Sequence, residues 1–427
     1  MLIKILIFTA SSCIFQVMYK RRLITDRLKK LVSNFPVVVM TGARQVGKST
    51  LLAHEFPEMM MVVFDPVMDR AGARQDPDLF LDNHPAPAIF DEIQYAPELA
   101  AAIKRRVDQD RKPGRYILTG SQQWAVMKSI ADSLAGRAVF MQLEGFELSE
   151  IYQVTSENNW LQRWLAGNVD TFVHSVGRIP CTRTLYEHLW RGWLPGADLL
   201  DNELIPDFYR GYLQTYVERD ARLQMEISDW QQFGKFVQLV SALTAQEVNY
   251  SHLGREIGIN YQSAQKWLGV LQSTFQWFEV SAYSGNTIKK ISGKSKGYLS
   301  DTGLVCALNQ ISSHKAIGGH PLFGSLFETA IAAQLRKLST VISTPPHFYH
   351  WRSHGGAEVD LVLERDGILY PIEIKAKSNP NGSDTKGITT LRKTYPNQHI
   401  ANGLVICPCE RFMKISDLDY ALPWDVV

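Results

Sequence analysis

A chain of 427 residues, 45% of them hydrophobic, has an ordinary globular composition and excludes a protein without a core; its length suggests two to four domains. A formal net charge of +2 neither requires nor excludes nucleic acid, so any basic surface has to be local. The five cysteines are scattered without zinc-site spacing and read as reduced thiols of a cytoplasmic protein.

The chain opens "MLIKILIFTASSCIFQVMYKRR", a short apolar run followed by a basic cluster. It reads as a signal-type segment, as a lipid-attachment site at Cys13, or as sequence ahead of a true start at Met18. The basic cluster follows the apolar run, which is the wrong order for export. The run is also too short for a membrane span, and no stable membrane association is expected. Residues 1–17 are set aside as a doubtful leader.

"FPVVVMTGARQVGKSTLL" comes next. A β-branched run ends at Gly42, and Gly42-Ala43-Arg44-Gln45-Val46-Gly47-Lys48-Ser49 fits G-x-x-x-x-G-K-[ST]. The glycines let backbone N–H groups turn onto phosphate oxygens, and the helix that follows, through Thr50, adds its positive end. Lys48 is expected at the β- and γ-phosphates of ATP, and Ser49 on Mg²⁺. In "APAIFDEIQ" a second strand runs into Asp91 and Glu92. Asp91 would be the other Mg²⁺ partner, and Glu92 would orient or deprotonate the attacking water; solvated acids at a strand end are the plainer reading. "RYILTGSQQ" supplies a third strand, with Thr119 and Ser121 at its end to sense the γ-phosphate or simply to cap the strand. In "SLAGRAVFMQLEGFELSE", Arg137 is a candidate arginine finger, in cis or from a neighbouring subunit, or else a solvated surface side chain. Strands and helices in this alternation predict a parallel sheet with helices on both faces, an α/β fold.

The P-loop, "IFDEIQ", "LTGS", "SLAGR" and "ELSE" together resemble a prokaryotic AAA-type ATPase family that pairs its ATPase with a C-terminal domain of unknown function of the 4143 class. The resemblance runs from about Met18 to the end and is weakest over Tyr152 to Pro180, which reads as an insert. It implies ATP and Mg²⁺ as ligands and an ATPase domain over residues 18–150. It also marks "RGWLP" and "YLQTYVERD" as linker-helix motifs within a helical linker, residues 151–235. There Arg219 and Asp220 would couple nucleotide state to later domains, or form a plain ion pair.

"NYSHLGREIGINYQSAQKWLGVLQSTFQWFEV" reads as helix, turn, helix and strand, with Gly258-Ile259-Asn260 as the turn. With a β-wing after it, residues 236–310 resemble a winged helix. Gln262, Gln265 and Lys266 would face a DNA groove, and Lys289, Lys290, Lys294 and Lys296 would meet phosphates. Winged helices also serve as protein-docking modules.

The last segment, residues 311–427, contains "AEVDLVLERDGILYPIEIKAK". Asp366-Gly367 between apolar runs is a two-residue hairpin signal. The register it sets places Pro371 at a non-hydrogen-bonded position, which tolerates its missing N–H. The same register opposes Asp360 to Glu373 and Glu358 to Lys375. Two opposed carboxylates destabilise a bare sheet and suit a divalent cation between them. Asp360, Glu373 and Lys375 resemble the Asp…Glu-x-Lys pattern of restriction-type nucleases. That resemblance adds Glu328 on a preceding helix as a metal ligand, Lys375 as a catalytic group, and Lys386 as a basic residue from a later helix. The expected architecture is therefore a P-loop ATPase, a helical linker, a winged helix and a C-terminal α/β restriction-endonuclease-like domain. Its expected partners are ATP, DNA, and a second copy or another protein. An inactive nuclease-like domain in a non-cleaving ATP switch is the alternative.

Overall fold

The computed structural model describes residues 19–69, 72–122, 132–154, 158–167, 169–214, 230–285 and 293–427. Cys13, Met18, Arg219, Asp220, Lys289 and Lys290, singled out above, lie outside the described residues.

β1 (Val37–Thr41), β2 (Met60–Val63), β3 (Ala88–Asp91), β4 (Tyr116–Gly120) and β5 (Ala138–Gln142) form one sheet in the order β2-β3-β4-β1-β5. Every pairing in it is parallel. β1, β3 and β4 are buried along their whole length, which is why they read as continuous apolar runs. Alternate side chains of β1 enter different cores. Val38 and Met40 join Leu51 and Leu52 of the helix Lys48–Glu55, whereas Val37 and Val39 join Ile103 and Val107 of the helix Leu99–Gln109. Parallel strands put all their C-terminal ends on one edge. Gly42, Asp91 and Thr119 are collected there, with β4 lying between the P-loop strand and the acid strand.

The segment expected to be an insert is packed into the C-terminal half. Trp160, Leu161, Trp164, Leu165 and Phe172 are buried. Asn159 Nδ2 donates to Leu338 O at 3.0 Å, and Tyr370 Oη donates to Leu165 O at 3.1 Å.

The helix Trp230–Ala242, β6 (Gln246–Glu247), the helices Tyr250–Ile257 and Tyr261–Ser273, β7 (Trp277–Ala282) and β8 (Lys296–Leu299) follow one another. Gly258 adopts φ 77° at the end of one helix, and the Asn260 side chain accepts the Ser263 N–H at the start of the next. The expected turn is therefore present. Leu253, Ala264, Trp267 and Leu268 are buried between these helices, and the rings of Phe233 and Phe236 meet Trp267 edge-on. β8 pairs antiparallel with β6 and β7. A Cβ on Gly297 would stand 2.0 Å from the Trp277 ring, so only glycine fits in this strand pair.

β7 also pairs, in parallel, with β9 (His347–Arg352). The sheet then continues through β10 (Glu358–Arg365), β11 (Ile368–Ile374), β12 (Gly403–Cys407) and β14 (Asp419–Pro423) to β13 (Met413–Lys414). Among the described residues the result is one nine-stranded sheet, so the expected boundary at 310/311 separates strands that share hydrogen bonds. The helix Phe323–Ser339 packs Leu326, Phe327, Ile331 and Leu335 into the core that holds Leu361, Leu363 and Ile372.

In the hairpin, Asp366 (φ 51°) and Gly367 (φ 76°) are both left-handed, as a type I′ turn requires. The pairs Arg365↔Ile368 and Val362↔Pro371 form as the sequence predicts. The ladder stops at Leu361↔Ile372, because Asp360 Oδ2 takes the Ile374 N–H at 2.8 Å. Neither Asp360↔Glu373 nor Glu358↔Lys375 is among the paired positions of β10 and β11. A bulge between Val359 and Val362 shifts β10 against β9 and pairs Glu358 with Arg352.

Candidate functional site

The P-loop leaves β1 through Gly42, whose φ is 152° and where a Cβ would stand 2.0 Å from Leu143 O. Gln45 (φ 60°) and Gly47 (φ 94°) complete the turn into the helix Lys48–Glu55. Lys48 is buried, and its Nζ donates to Gly42 O at 2.8 Å and Ala43 O at 3.0 Å, inside the cup of the loop. Ala43, Arg44 and Val46 lie within this turn, and Thr50 lies in the helix that follows it.

Behind the loop the expected groups meet. Ser49 Oγ donates to Asp91 Oδ2 at 2.6 Å, the Thr119 hydroxyl donates to Asp91 Oδ1, and the Glu92 N–H donates to Thr119 Oγ1 at 3.3 Å. A serine hydroxyl against a buried aspartate is a hard-oxygen donor set that fits Mg²⁺. Glu92 sits at φ 59°, a left-handed conformation uncommon for a residue with a side chain and characteristic of functional sites. Its carboxylate accepts from Ser121 Oγ at 2.9 Å and from the Gln94 amide, and Arg44 Nη1 lies 3.8 Å away. Burial pushes the Glu92 carboxyl up. The charges of Lys48 and Arg44 and these hydrogen bonds outweigh it, leaving the group below the ordinary glutamate range and ionised near neutrality.

Three partners of this site are new to the structure. Gln94 holds Glu92, and the spacing in "DEIQ" is the only trace of it in the sequence. Arg44 Nη2 donates to Tyr95 Oη at 2.9 Å. Arg22 is buried and donates to Val46 O at 2.7 Å and Glu144 O at 2.6 Å, while its Nε lies 3.1 Å from Glu150 Oε2. "ELSE" is thereby explained: Glu147 and Glu150 form a capping box on the helix Leu148–Tyr152, and Glu150 also grips Arg22. On the other side, Tyr212 Oη donates to Arg44 O at 3.5 Å and Gln276 Nε2 donates to Tyr212 Oη at 3.0 Å. This chain of contacts joins the loop to the turn between the helix Tyr261–Ser273 and β7. A cavity of about 310 Å³, lined in part by Val46, Tyr212, Phe275 and Trp277, lies along the same seam.

Arg137 is elsewhere, and the expectation of a finger acting in cis is corrected. It precedes β5, whose first residue pairs with Val37, so it lies at the sheet edge opposite the P-loop, roughly 16 Å away for a five-residue strand. Its guanidinium instead meets both Asp108 oxygens at 2.7 Å.

In the C-terminal half, Glu328, Asp360, Glu373 and Lys375 are brought together. Lys375 Nζ lies 2.8 Å from Glu373 Oε2 and 3.4 Å from Asp360 Oδ2. Two further members of the group come from β8. Lys296 Nζ lies 2.6 Å from Glu328 Oε1 and 3.4 Å from Asp360 Oδ1. Tyr298 Oη donates to the same Glu328 oxygen at 2.8 Å. The expectation that Lys296 meets nucleic-acid phosphates is corrected, since its side chain is buried among carboxylates. Burial, reinforced by Asp360, pushes Glu328 up to about 7 and Glu373 well above the ordinary glutamate range. Asp360 is itself held below the ordinary aspartate range: burial opposes this, and the Lys296 and Lys375 charges overcome it. Among the described residues, no three His, Cys, Asp or Glu side chains are set to hold a metal ion. The donor set as arranged fits two ammonium groups and does not fit a divalent cation. Lys386 begins the helix Lys386–Thr394 and is exposed, while its neighbour Gly387 packs against Glu358 O and Glu373.

Comparisons with known proteins divide the chain into three parts. Residues 34–152 match an AAA domain, residues 182–315 match a domain of unknown function (DUF8612), and residues 323–427 match another (DUF4143). The uncharacterized proteins Mb2031c of Mycobacterium bovis and Rv2008c of Mycobacterium tuberculosis are each 26% identical over 412 residues, covering 96% of this chain and 84% of theirs. Among solved structures, the Walker-type ATPase PABY2304 of Pyrococcus abyssi is similar over 67% of this chain and 94% of its own. The identity is 14% and the TM-score 0.41. A single-substitution variant of RuvB from Thermotoga maritima is similar over 60% of this chain and 88% of its own, at 12% identity and a TM-score of 0.29. No helix among the described residues is long and apolar enough to cross a membrane. Residues 34–152 are thus similar to an AAA-type P-loop ATPase domain, and residues 323–427 to the DUF4143 domain.

Proposed function

We propose that this protein hydrolyses ATP and uses the nucleotide state to control a C-terminal half that docks a partner, DNA first among them. The observation that carries the ATPase reading is the hydrogen-bonded series Ser49–Asp91–Thr119–Glu92 behind the P-loop. The loop N–H groups and Lys48 would bind the β- and γ-phosphates, with Lys48 exchanging its carbonyl partners for phosphate oxygens. Ser49 and Asp91 would hold Mg²⁺, which supplies charge neutralisation at the phosphates. Glu92, ionised and aimed by Gln94 and Ser121, would orient the water and accept its proton, and Thr119 would fix the Asp91 carboxylate beside it. Arg22 acts as a positioning residue that pins the loop carbonyl at Val46.

The test is ATP turnover with binding measured alongside. Lys48→Ala is expected to lose nucleotide affinity. Glu92→Gln is expected to keep affinity and lose turnover by about 10²–10⁴-fold, the usual contribution of a general base. Turnover unchanged in both variants would end this reading.

The series helix–strand–helix–helix–strand–strand over residues 230–299 supports a winged-helix module, and the exposed Gln262, Gln265 and Lys266 are its candidate groove contacts. The hairpin, the upstream helix with Glu328 and the gathered acids support a nuclease-like fold for the last domain. One observation favours its non-cleaving version: Lys296 Nζ lies against Glu328 and Asp360, two of the three acids that would hold the cation. DNA affinity measured against salt concentration is expected to fall log-linearly. The variant with Gln262, Gln265 and Lys266 all changed to Ala should show weaker binding and a slope shallower by about 0.9, for the one phosphate-capable charge removed. Identical binding by that variant would move the docking surface elsewhere.

A further inference from the structure

The two lysines in the C-terminal cluster have different origins. Lys375 lies two residues beyond Glu373, just past the end of β11, and is part of the same hairpin. Lys296 comes from β8, on the far side of β9 and β7 in the sheet. It reaches across to both Glu328 and Asp360. The two oxygens of Asp360 are shared out: Oδ1 faces Lys296, and Oδ2 faces Lys375 and takes the Ile374 N–H. Glu328 is fixed from β8 twice, by Lys296 and by Tyr298. Glu373 is closed off on its other side by the backbone of Gly387, where a Cβ would stand 2.4 Å from its Oε1.

Three carboxylates therefore share two ammonium groups in a buried place. Taking Lys296 away would remove one of the two ammonium groups and leave hard oxygen donors on three separate elements, from which a divalent ion would displace the carboxyl protons. An unpaired buried carboxylate is costly and takes up either a proton or a cation, so a divalent ion would compete there with protons once Lys296 is gone.

We propose that Lys296 is a built-in cation that closes this cluster to divalent metals, and that withdrawing it opens a single Mg²⁺- or Mn²⁺-type site formed by Glu328, Asp360 and Glu373. This rests on the non-cleaving reading of the C-terminal half and is independent of the ATPase assignment. β8 is the element that carries the plug. It is tied to the C-terminal strands through β7, whose register with β9 covers the two pairs Ser281↔Tyr349 and Ala282↔His350, and through His350 Nε2 at 2.9 Å from Lys294 O.

The experiment uses the full chain without nucleotide, with Asp91→Asn in every protein so that the P-loop site does not contribute. Mn²⁺ binding is read from loss of the free-ion electron paramagnetic resonance signal. The Asp91→Asn protein is expected to bind no Mn²⁺ below millimolar concentrations. Adding Lys296→Met should create one site at least about tenfold tighter, adding Asp360→Asn to that variant should remove it, and Lys296→Arg should leave the cluster closed. Circular dichroism and melting temperature check that each variant is folded. Should Lys296→Met fail to fold, the comparison of Asp91→Asn with Asp91→Asn/Asp360→Asn still decides. Asp360-dependent Mn²⁺ binding while Lys296 is in place overturns the proposal, and so does a folded Lys296→Met protein that binds none. Neither outcome touches ATP turnover, which Lys48→Ala tests separately.

Discussion

At the scale of single residues, His188 shows how burial becomes a pH response. Its imidazole lies against Trp193 with the planes 7° apart, and its Nε2 is 2.9 Å from Tyr152 Oη. Burial, with the nearby Arg183 charge, holds it down to about 3, so the ring is neutral in the fold at physiological pH. In the unfolded chain it would titrate near its ordinary value of about 6.5. The sign follows from these two values: the folded pKa is depressed, so the contribution is complete above about 6.5 and is lost as pH falls toward 3. Each pH unit inside that window costs at most about 1.4 kcal/mol. Urea midpoints measured between pH 7 and 4.5 should fall more steeply for the wild type than for His188→Gln; parallel curves would contradict this. The residues of the P-loop site were legible because each ends a strand in a recognisable pattern. For Arg137 the cis-finger alternative fails and the surface alternative fits its pair with Asp108, and its position in the sequence held the answer. It precedes its strand while Gly42 follows β1, and in a parallel sheet those are opposite edges. Arg22 and Gln94 carry no motif, and only the folded chain brings them to the loop and to Glu92.

At the scale of elements, local chemistry decided what could be read. Asp366-Gly367 and Pro371 fixed the hairpin register independently of each other, and both agree with the observed pairs. Gly258 and Asn260 likewise fixed the helix–turn–helix boundaries. The end of the ladder was not legible. Asp360 gives its carboxylate to the Ile374 N–H, a choice between side chain and backbone that alternation alone cannot express. Lys296 was misassigned for a related reason. A lysine in a glycine-rich, basic stretch reads as a surface group, and only the packing of β8 against the helix Phe323–Ser339 reveals Glu328 as its partner.

At the scale of the whole molecule, local signals gave the order of the parts and missed how they join. The seam between β7 and β9 is parallel and links segments about seventy residues apart, so no turn signal announces it. It predicts that residues 311–427 expressed alone aggregate, because β9 loses a neighbour and becomes an open edge. Co-expression with residues 18–310 should restore solubility, as judged by size-exclusion chromatography. A monodisperse 311–427 fragment would show that the seam is dispensable.

That seam also bears on ancestry. A terminal domain attached only by a linker can be gained or lost in one recombination event without disturbing the rest. Here β9 depends on a strand supplied from upstream, and the carboxylates beside it are neutralised by a lysine from the adjoining strand. A lineage that exchanged the last hundred residues for those of a distant relative would have to match both β7 and Lys296. The two halves are therefore expected to be inherited together, with paired changes at residues 296 and 328 wherever the ion pair has been replaced.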